Sequence, residues 1–139
     1  MARHLEEIQF MQKALIVDDS RAIRSILSKM LGKQGFTNVQ ASNGVEALQV
    51  LQQEADEISL ICVDYNMPEM NGVDFVAQAR TMPRFRETPV MMITTETHLD
   101  FMHRAYAAGI SEYLMKPFTE SMVCEKLDIL GLLQEKTFA

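Results

Sequence analysis

Four short apolar runs in this chain each end on a group with chemistry to offer: ALIV on Asp18-Asp19, LICV on Asp64, VMMI on Thr94-Thr95, and YLM on Lys116-Pro117. If these runs are strands of one parallel sheet, carboxylates, hydroxyls and an ammonium group meet at one edge. Open α/β sheets bind their ligands at the carboxyl ends of their strands. The pattern therefore points to a single shared site.

The segments between the runs are long enough for crossover helices. Strands are expected at 13–17, 36–41, 58–63, 90–93 and 112–115. Residues 58–63 are apolar without alternation, which marks a strand covered on both faces and places it at the sheet centre. After Ser20, a helix cap by residue type, Ile23, Ile26, Leu27, Met30 and Leu31 recur at helical spacing up to Gly32 and Gly35. Asn43-Gly44 opens a second helix with Val45, Leu48, Leu51 and Ala55 as its inner stripe. A third is expected over 73–82, with Val73, Val76 and Ala77 inward and Pro83 ending it. The fourth, 96–108, stops at Gly109 and has a weak apolar side of Phe101, Met102 and Ala105, so it is expected to be the least firmly held. The last, 119–135, places Val123, Leu127, Leu130 and Leu133 on one side. Strands alternating with helices require right-handed crossovers and a sheet wrapped on both faces. The fold class is thus α/β, a doubly wound (βα)5 three-layer sandwich. The 11 methionines fall mostly inside strands or on helix faces, where they fill core gaps.

Composition narrows the function. At 139 residues and 47% hydrophobic, the chain has material for one domain, expected over 13–137 with 1–12 as an N-terminal arm. A net charge of -6 and a pI near 5.0 oppose nucleic-acid binding, which needs clustered Lys and Arg. No window approaches the ~20 apolar residues of a membrane span, and the charged start reads neither as a signal peptide nor as an anchor. Cys62 and Cys124 lie far apart with no metal-ligand spacing, so buried thiols in a reducing cytoplasm are the expectation. Neither a dinucleotide-binding nor a nucleoside-triphosphate glycine loop follows the first strand.

Three carboxylates converging at one edge repel each other unless a cation joins them, and an all-oxygen site that retains water suits Mg²⁺. Asn66, in the loop after Asp64, is placed to add a backbone carbonyl. Lys116 brings a fixed positive charge and Thr94 a hydroxyl donor. Such a set can stabilise the oxygens of a phosphoryl group in transfer, a reaction that depends on positioning and charge. Taken alone, Asp18-Asp19 could be acids at a helix N-terminus, Thr94 a strand-ending residue and Glu96 a helix cap. Their joint occurrence with Asp64 and Lys116 favours the site.

The motifs VDDS (17–20), DYNMPEMNG (64–72), TTE (94–96) and KPF (116–118), with Gly109 and Tyr113, resemble the receiver domain of two-component response regulators. The likeness covers about residues 13–135 and is greatest to the free-standing chemotaxis type. It implies a flavodoxin-like sheet of order 2-1-3-4-5. By the same likeness Asp64 is the phosphoacceptor and Asp19 a direct Mg²⁺ ligand, with Mn²⁺ an acceptable substitute. Asp18 contacts the metal through water, and Asn66 supplies a carbonyl ligand. Lys116 contacts the phosphoryl group, Thr94 and Tyr113 form the switch, and Asn66 and Glu96 flank the site and tune dephosphorylation. The Lys116-Pro117 bond is expected to be cis.

The implied donor is a histidine kinase or histidine phosphotransfer protein. The implied output is an unnamed protein at the face made by the fourth helix (96–108), fifth strand (112–115) and fifth helix (119–135). Such a protein catalyses its own phosphorylation and dephosphorylation without being an ordinary enzyme. Motor-binding chemotaxis receivers often carry several lysines on that face, whereas here it offers His98, Leu99, His103, Arg104 and one lysine, Lys126, which speaks against motor binding. Two other readings remain open. A haloacid-dehalogenase-like aspartyl phosphatase would want an acid where Asn66 stands and a cap insertion, and a phosphorylation-independent pseudo-receiver would not need intact acids.

Overall fold

The computed structural model describes residues 12–54 and 56–133. Five parallel strands, β1 (Gln12–Val17), β2 (Phe36–Ala41), β3 (Leu60–Val63), β4 (Val90–Thr94) and β5 (Glu112–Met115), form one sheet of order β2-β1-β3-β4-β5. They alternate with α1 (Arg21–Lys33), α2 (Gly44–Gln53), α3 (Gly72–Thr81), α4 (Leu99–Ala108) and α5 (Glu120–Ile129), and a short 3₁₀ turn, Pro83–Phe85, precedes β4. Doubly wound topology and strand order are both as expected. Of the expected arm at 1–12, residues 1–11 lie outside the described residues, and Gln12 is already the first residue of β1. Among the described residues no helix is long and apolar enough to cross a membrane.

Strand pleating sorts the core into two layers. Leu15, Val17, Ile61, Val63 and Met92 point to one face, where Ala47 and Leu51 of α2, Phe75, Val76 and Ala79 of α3, and Ala105 of α4 cover them. Ala14, Ile16, Leu60, Cys62, Met91, Ile93 and Leu114 point to the other, against Leu27 and Leu31 of α1 and Val123 and Leu127 of α5. Every residue of β3 is buried, as a strand at the sheet centre requires. Burial pushes the Cys62 thiol up to about 12, which leaves it protonated and inert.

Helix phases differ in places from the sequence expectation. Cap residues explain why. Asn71 accepts from the Asp74 N–H, so α3 starts at Gly72 and turns Phe75, Val76 and Ala79 inward, while Ala77 faces solvent. Asn43 does the same for α2 through the Glu46 N–H, burying Ala47 and Leu51 and leaving Val45 exposed; Ala55 lies outside the described residues. In α1 the buried stripe narrows to Leu27 and Leu31, with Ile26 exposed. The α5 helix ends at Ile129 rather than 135, because the chain turns at Gly131 with φ +72°. Leu130 and Leu133 still pack on the core from outside the helix, and residues 134–135 lie outside the described ones.

Candidate functional site

Topology reverses between β1 and β3, since α1 carries the chain outward to β2 and α2 brings it back past β1 to β3. The crevice at such a reversal is where doubly wound folds place ligands. Ladder bonds run one residue past three strands and pin the backbone there. The Asp18 N–H donates to the Ala41 carbonyl at 3.1 Å, that of Asp64 to Val17 at 3.0 Å, and that of Lys116 to Thr94 at 2.9 Å. The Lys116–Pro117 peptide is cis.

Asp18, Asp19 and Asp64 each bring a carboxylate oxygen within 4.8 Å of the others, and this trio can coordinate a divalent cation. Asp18 and Asp64 are buried, at 2% and 7% exposure, whereas Asp19 is open to solvent. The Lys116 ammonium donates to Asp18 Oδ2 at 2.8 Å and to Asp64 Oδ2 at 3.0 Å. Burial holds the Asp18 carboxyl above its usual value, with the Asp64 charge adding to the rise, while the Lys116 ammonium and the Ser20 N–H partly offset it. Burial by itself would lower the Lys116 ammonium, but its hydrogen bonds to Asp18 and Asp64 win, and it is held above its ordinary value and stays charged. Hard oxygen donors of net negative charge are the ligand set that Mg²⁺ takes.

The loop between β3 and α3 closes against this edge. Gly72 lies so near the Asp64 carbonyl that a Cβ there would collide with it, and its N–H donates to the Tyr65 carbonyl at 2.8 Å. Asp19 shares an open surface groove with Tyr65, Asn66, Met67, Pro68 and Asn71. Across the mouth, Asn66 Nδ2 donates to Glu96 Oε1 at 2.6 Å.

Glu96 links three parts of the site. Besides holding Asn66, its N–H donates to the buried Thr94 Oγ1 at 3.4 Å and its carbonyl accepts the Tyr113 hydroxyl at 2.8 Å. These contacts engage the backbone that was expected to begin the fourth helix, so α4 starts at Leu99 instead of 96. The Tyr113 ring is already inside, 6% exposed, and burial raises its phenol so that it stays a neutral donor.

All nine expected site residues thus lie along one sheet edge or in the loops that border it. Missed were Arg24, whose Nη1 donates to the Asp18 carbonyl at 2.7 Å, and Tyr65, which packs on α4. Nothing in the spacing of Arg24 marks that contact. Tyr65 could have been noticed as a large aromatic next to an acid that ends a buried strand. On the helices that flank β5, Leu99 and Tyr106 of α4 and Ile129 of α5 are exposed, and Lys126 is paired with Glu112 at 2.8 Å.

A family model described as the response regulator receiver domain matches residues 14–128. The chain is similar to chemotaxis protein CheY1 of Helicobacter pylori, 44% identical over 119 residues that span 85% of this chain and 95% of that protein. A CheY homolog of Campylobacter jejuni is 39% identical over 86% of this chain and 92% of its own. Among solved structures, chemotaxis protein CheY4 of Vibrio cholerae superposes with a TM-score of 0.80 at 35% identity, covering 86% of this chain and 98% of that one.

Proposed function

Because this chain belongs to the response regulator receiver domain family, whose members are phosphoacceptor modules served by histidine kinases, we propose that it is a Mg²⁺-dependent switch phosphorylated on Asp64. The observation that carries this reading is the Lys116 ammonium lying within 3.0 Å of both Asp18 and Asp64, at an edge that Asp19 completes. Asp19 and Asp64 would hold the cation directly, with the Asn66 carbonyl, and Asp18 through water. When bound, it offsets the repulsion among the carboxylates and the charge on the phosphoryl oxygens.

An Asp64 carboxylate oxygen forms the new P–O bond while the P–N bond of the donor phosphohistidine breaks and its electron pair returns to the imidazole. Lys116 neutralises a phosphoryl oxygen and Thr94 donates its hydroxyl to another. Asn66 and Glu96, bonded to each other at the mouth, place the water that later hydrolyses the acyl phosphate. The output is a population shift of the surface made by α4, β5 and α5, biased through Thr94 and Tyr113. The two cysteines, both free, fit a cytoplasmic setting. Likeness to chemotaxis proteins supports that pathway, with an output partner that does not depend on lysines along α4.

Intact mass after treatment with phosphoramidate and Mg²⁺ tests the assignment. Wild type should gain one phosphoryl group, chelation of the metal should abolish the gain, and Asp64→Ala should show none. Undiminished labelling of Asp64→Ala would place the acceptor elsewhere.

A further inference from the structure

Phe101, in the first turn of α4, meets the Tyr65 ring edge to face, with centroids 4.8 Å apart and planes at 87°. Tyr65 is the residue directly after Asp64 and is 7% exposed. Its backbone has little freedom, since the Asp64 N–H is laddered to β1 and the Tyr65 carbonyl accepts from Gly72. Phe101 also lies 6.2 Å from the His98 ring and 5.7 Å from the Arg104 guanidinium. One aromatic pair therefore joins the peptide next to Asp64 to the start of the helix.

Among the described residues that start has no side-chain cap, and besides Phe101 only Met102 of its first turn packs against the core. His98 occupies the cap position and makes no capping hydrogen bond, although its carbonyl accepts from the Phe101 and Met102 N–H groups at 3.1 and 3.3 Å. Glu96, two residues earlier, is held by Thr94, Tyr113 and Asn66. A displacement of residues 95–98 would move Phe101 relative to the Tyr65 ring, whose backbone is held in the loop just beyond β3. Edge-to-face contacts are directional, so the pair distinguishes one placement of the helix from another.

We propose that Tyr65 and Phe101 form a second connection from the Asp64 site to α4, in parallel with Thr94 and Tyr113, and that both are positioning residues for the output state. The proposal rests on Asp64 as the phosphorylated residue. Its expected contribution is about two- to tenfold in the α4 equilibrium, the equivalent of one such aromatic pair. This lies at the lower end of ordinary coupling between sites.

The test uses beryllofluoride with Mg²⁺ as the phosphoryl mimic and takes two readouts on each protein. Bound fluoride is followed by ¹⁹F NMR, and hydrogen exchange of residues 96–108 is compared with and without the mimic. Phe101→Leu should keep the bound-fluoride signal but lose about two- to tenfold of the exchange response of α4. Tyr65→Leu should lose as much, Tyr65→Phe should retain the response, and the double leucine variant should lose no more than either single one. Thermal melts establish that each variant is folded, and the response is a difference within one protein, so a uniform loss of stability does not produce this pattern. A wild-type response in Phe101→Leu, or strictly additive losses, would overturn the connection while leaving Asp64 in place. Absence of bound fluoride in the wild type would remove the receiver reading and this inference together.

Discussion

Helices α1, α2, α3 and α5 each begin on a side chain, Ser20, Asn43, Asn71 or Thr119, that accepts from the N–H three residues on, whereas α4 begins at His98 with no such bond. In a capped helix the local sequence fixes where the helix begins. The α4 helix is fixed by what it touches: Ala105 in the core, Phe101 on Tyr65, and a C-terminus tied down where Arg80 donates to the Gly109 carbonyl at 2.7 and 3.0 Å. Side-chain caps therefore begin the helices around the carboxylates and are missing at the start of α4, the segment proposed to shift on phosphorylation. Segments that move are drawn from the less stable parts of a structure.

Two glycines break this comparison most severely. An alanine at Gly72 would press on the Asp64 carbonyl from the rigid side of the site, and the backbone of α3 or β3 would have to shift. The expected loss is about 3 kcal/mol in urea unfolding, together with loss of phosphoryl uptake. Gly131 has open space around it and only its φ of +72° to defend, so Gly131→Ala should cost about 1 kcal/mol and leave uptake intact. Equal costs at the two positions would mean that the loop after Asp64 is not closely packed.

Cap substitutions sharpen the same contrast at smaller scale. Asn71→Ala and Thr119→Ala should each lose about 1 kcal/mol, while His98→Ala should be nearly neutral. The His98 backbone already has the extended cap conformation, φ -74° and ψ 139°, so His98→Ser should add about 0.5–1 kcal/mol and slow amide exchange in 99–108. If it does neither, the start of α4 is already held as firmly as the others.

The same division decides what could be read from sequence. Strand identities and their order follow from apolar runs ending on polar groups, and all five strands lie where those runs were read. The meeting of Asp18, Asp64 and Lys116 follows from three strand ends at one edge. Helix phase was less legible, because apolar spacing alone tolerates a shift that a cap forbids: Val73 and Val76 pack inward as expected, but Phe75 and Ala79 complete the buried side where Ala77 had been expected. The start of α4 was missed for another reason. Glu96 is engaged by one short-range bond, its N–H on the Thr94 hydroxyl two residues back, which helical spacing does not register, and by one distant bond, its carbonyl on Tyr113.

The smallest expected effect lies at the opposite edge of the sheet, in the firmly held half. Lys13 at the start of β1 donates to Glu54 and Asp56, both at 2.9 Å, and Arg84 donates to the carbonyls of the same two residues at 2.6 and 2.7 Å, so the link between α2 and β3 is clamped by charge. The hydrogen bond from Lys13 holds the Glu54 and Asp56 carboxyls below their ordinary values of 4.5 and 3.8. In that range the native state binds fewer protons than the unfolded chain. The pair's stabilisation is therefore complete above the ordinary values and is lost as pH falls through the lowered ones. Lys13→Met should return both carboxyls toward their ordinary values and flatten the dependence of the urea midpoint on pH below about pH 5, with most of the difference from wild type gone in strong acid. Asp56 is largely exposed, so solvent screening keeps the effect small. Parallel curves for the two proteins across that range would mean that backbone packing, with no help from charge, holds this end of the sheet.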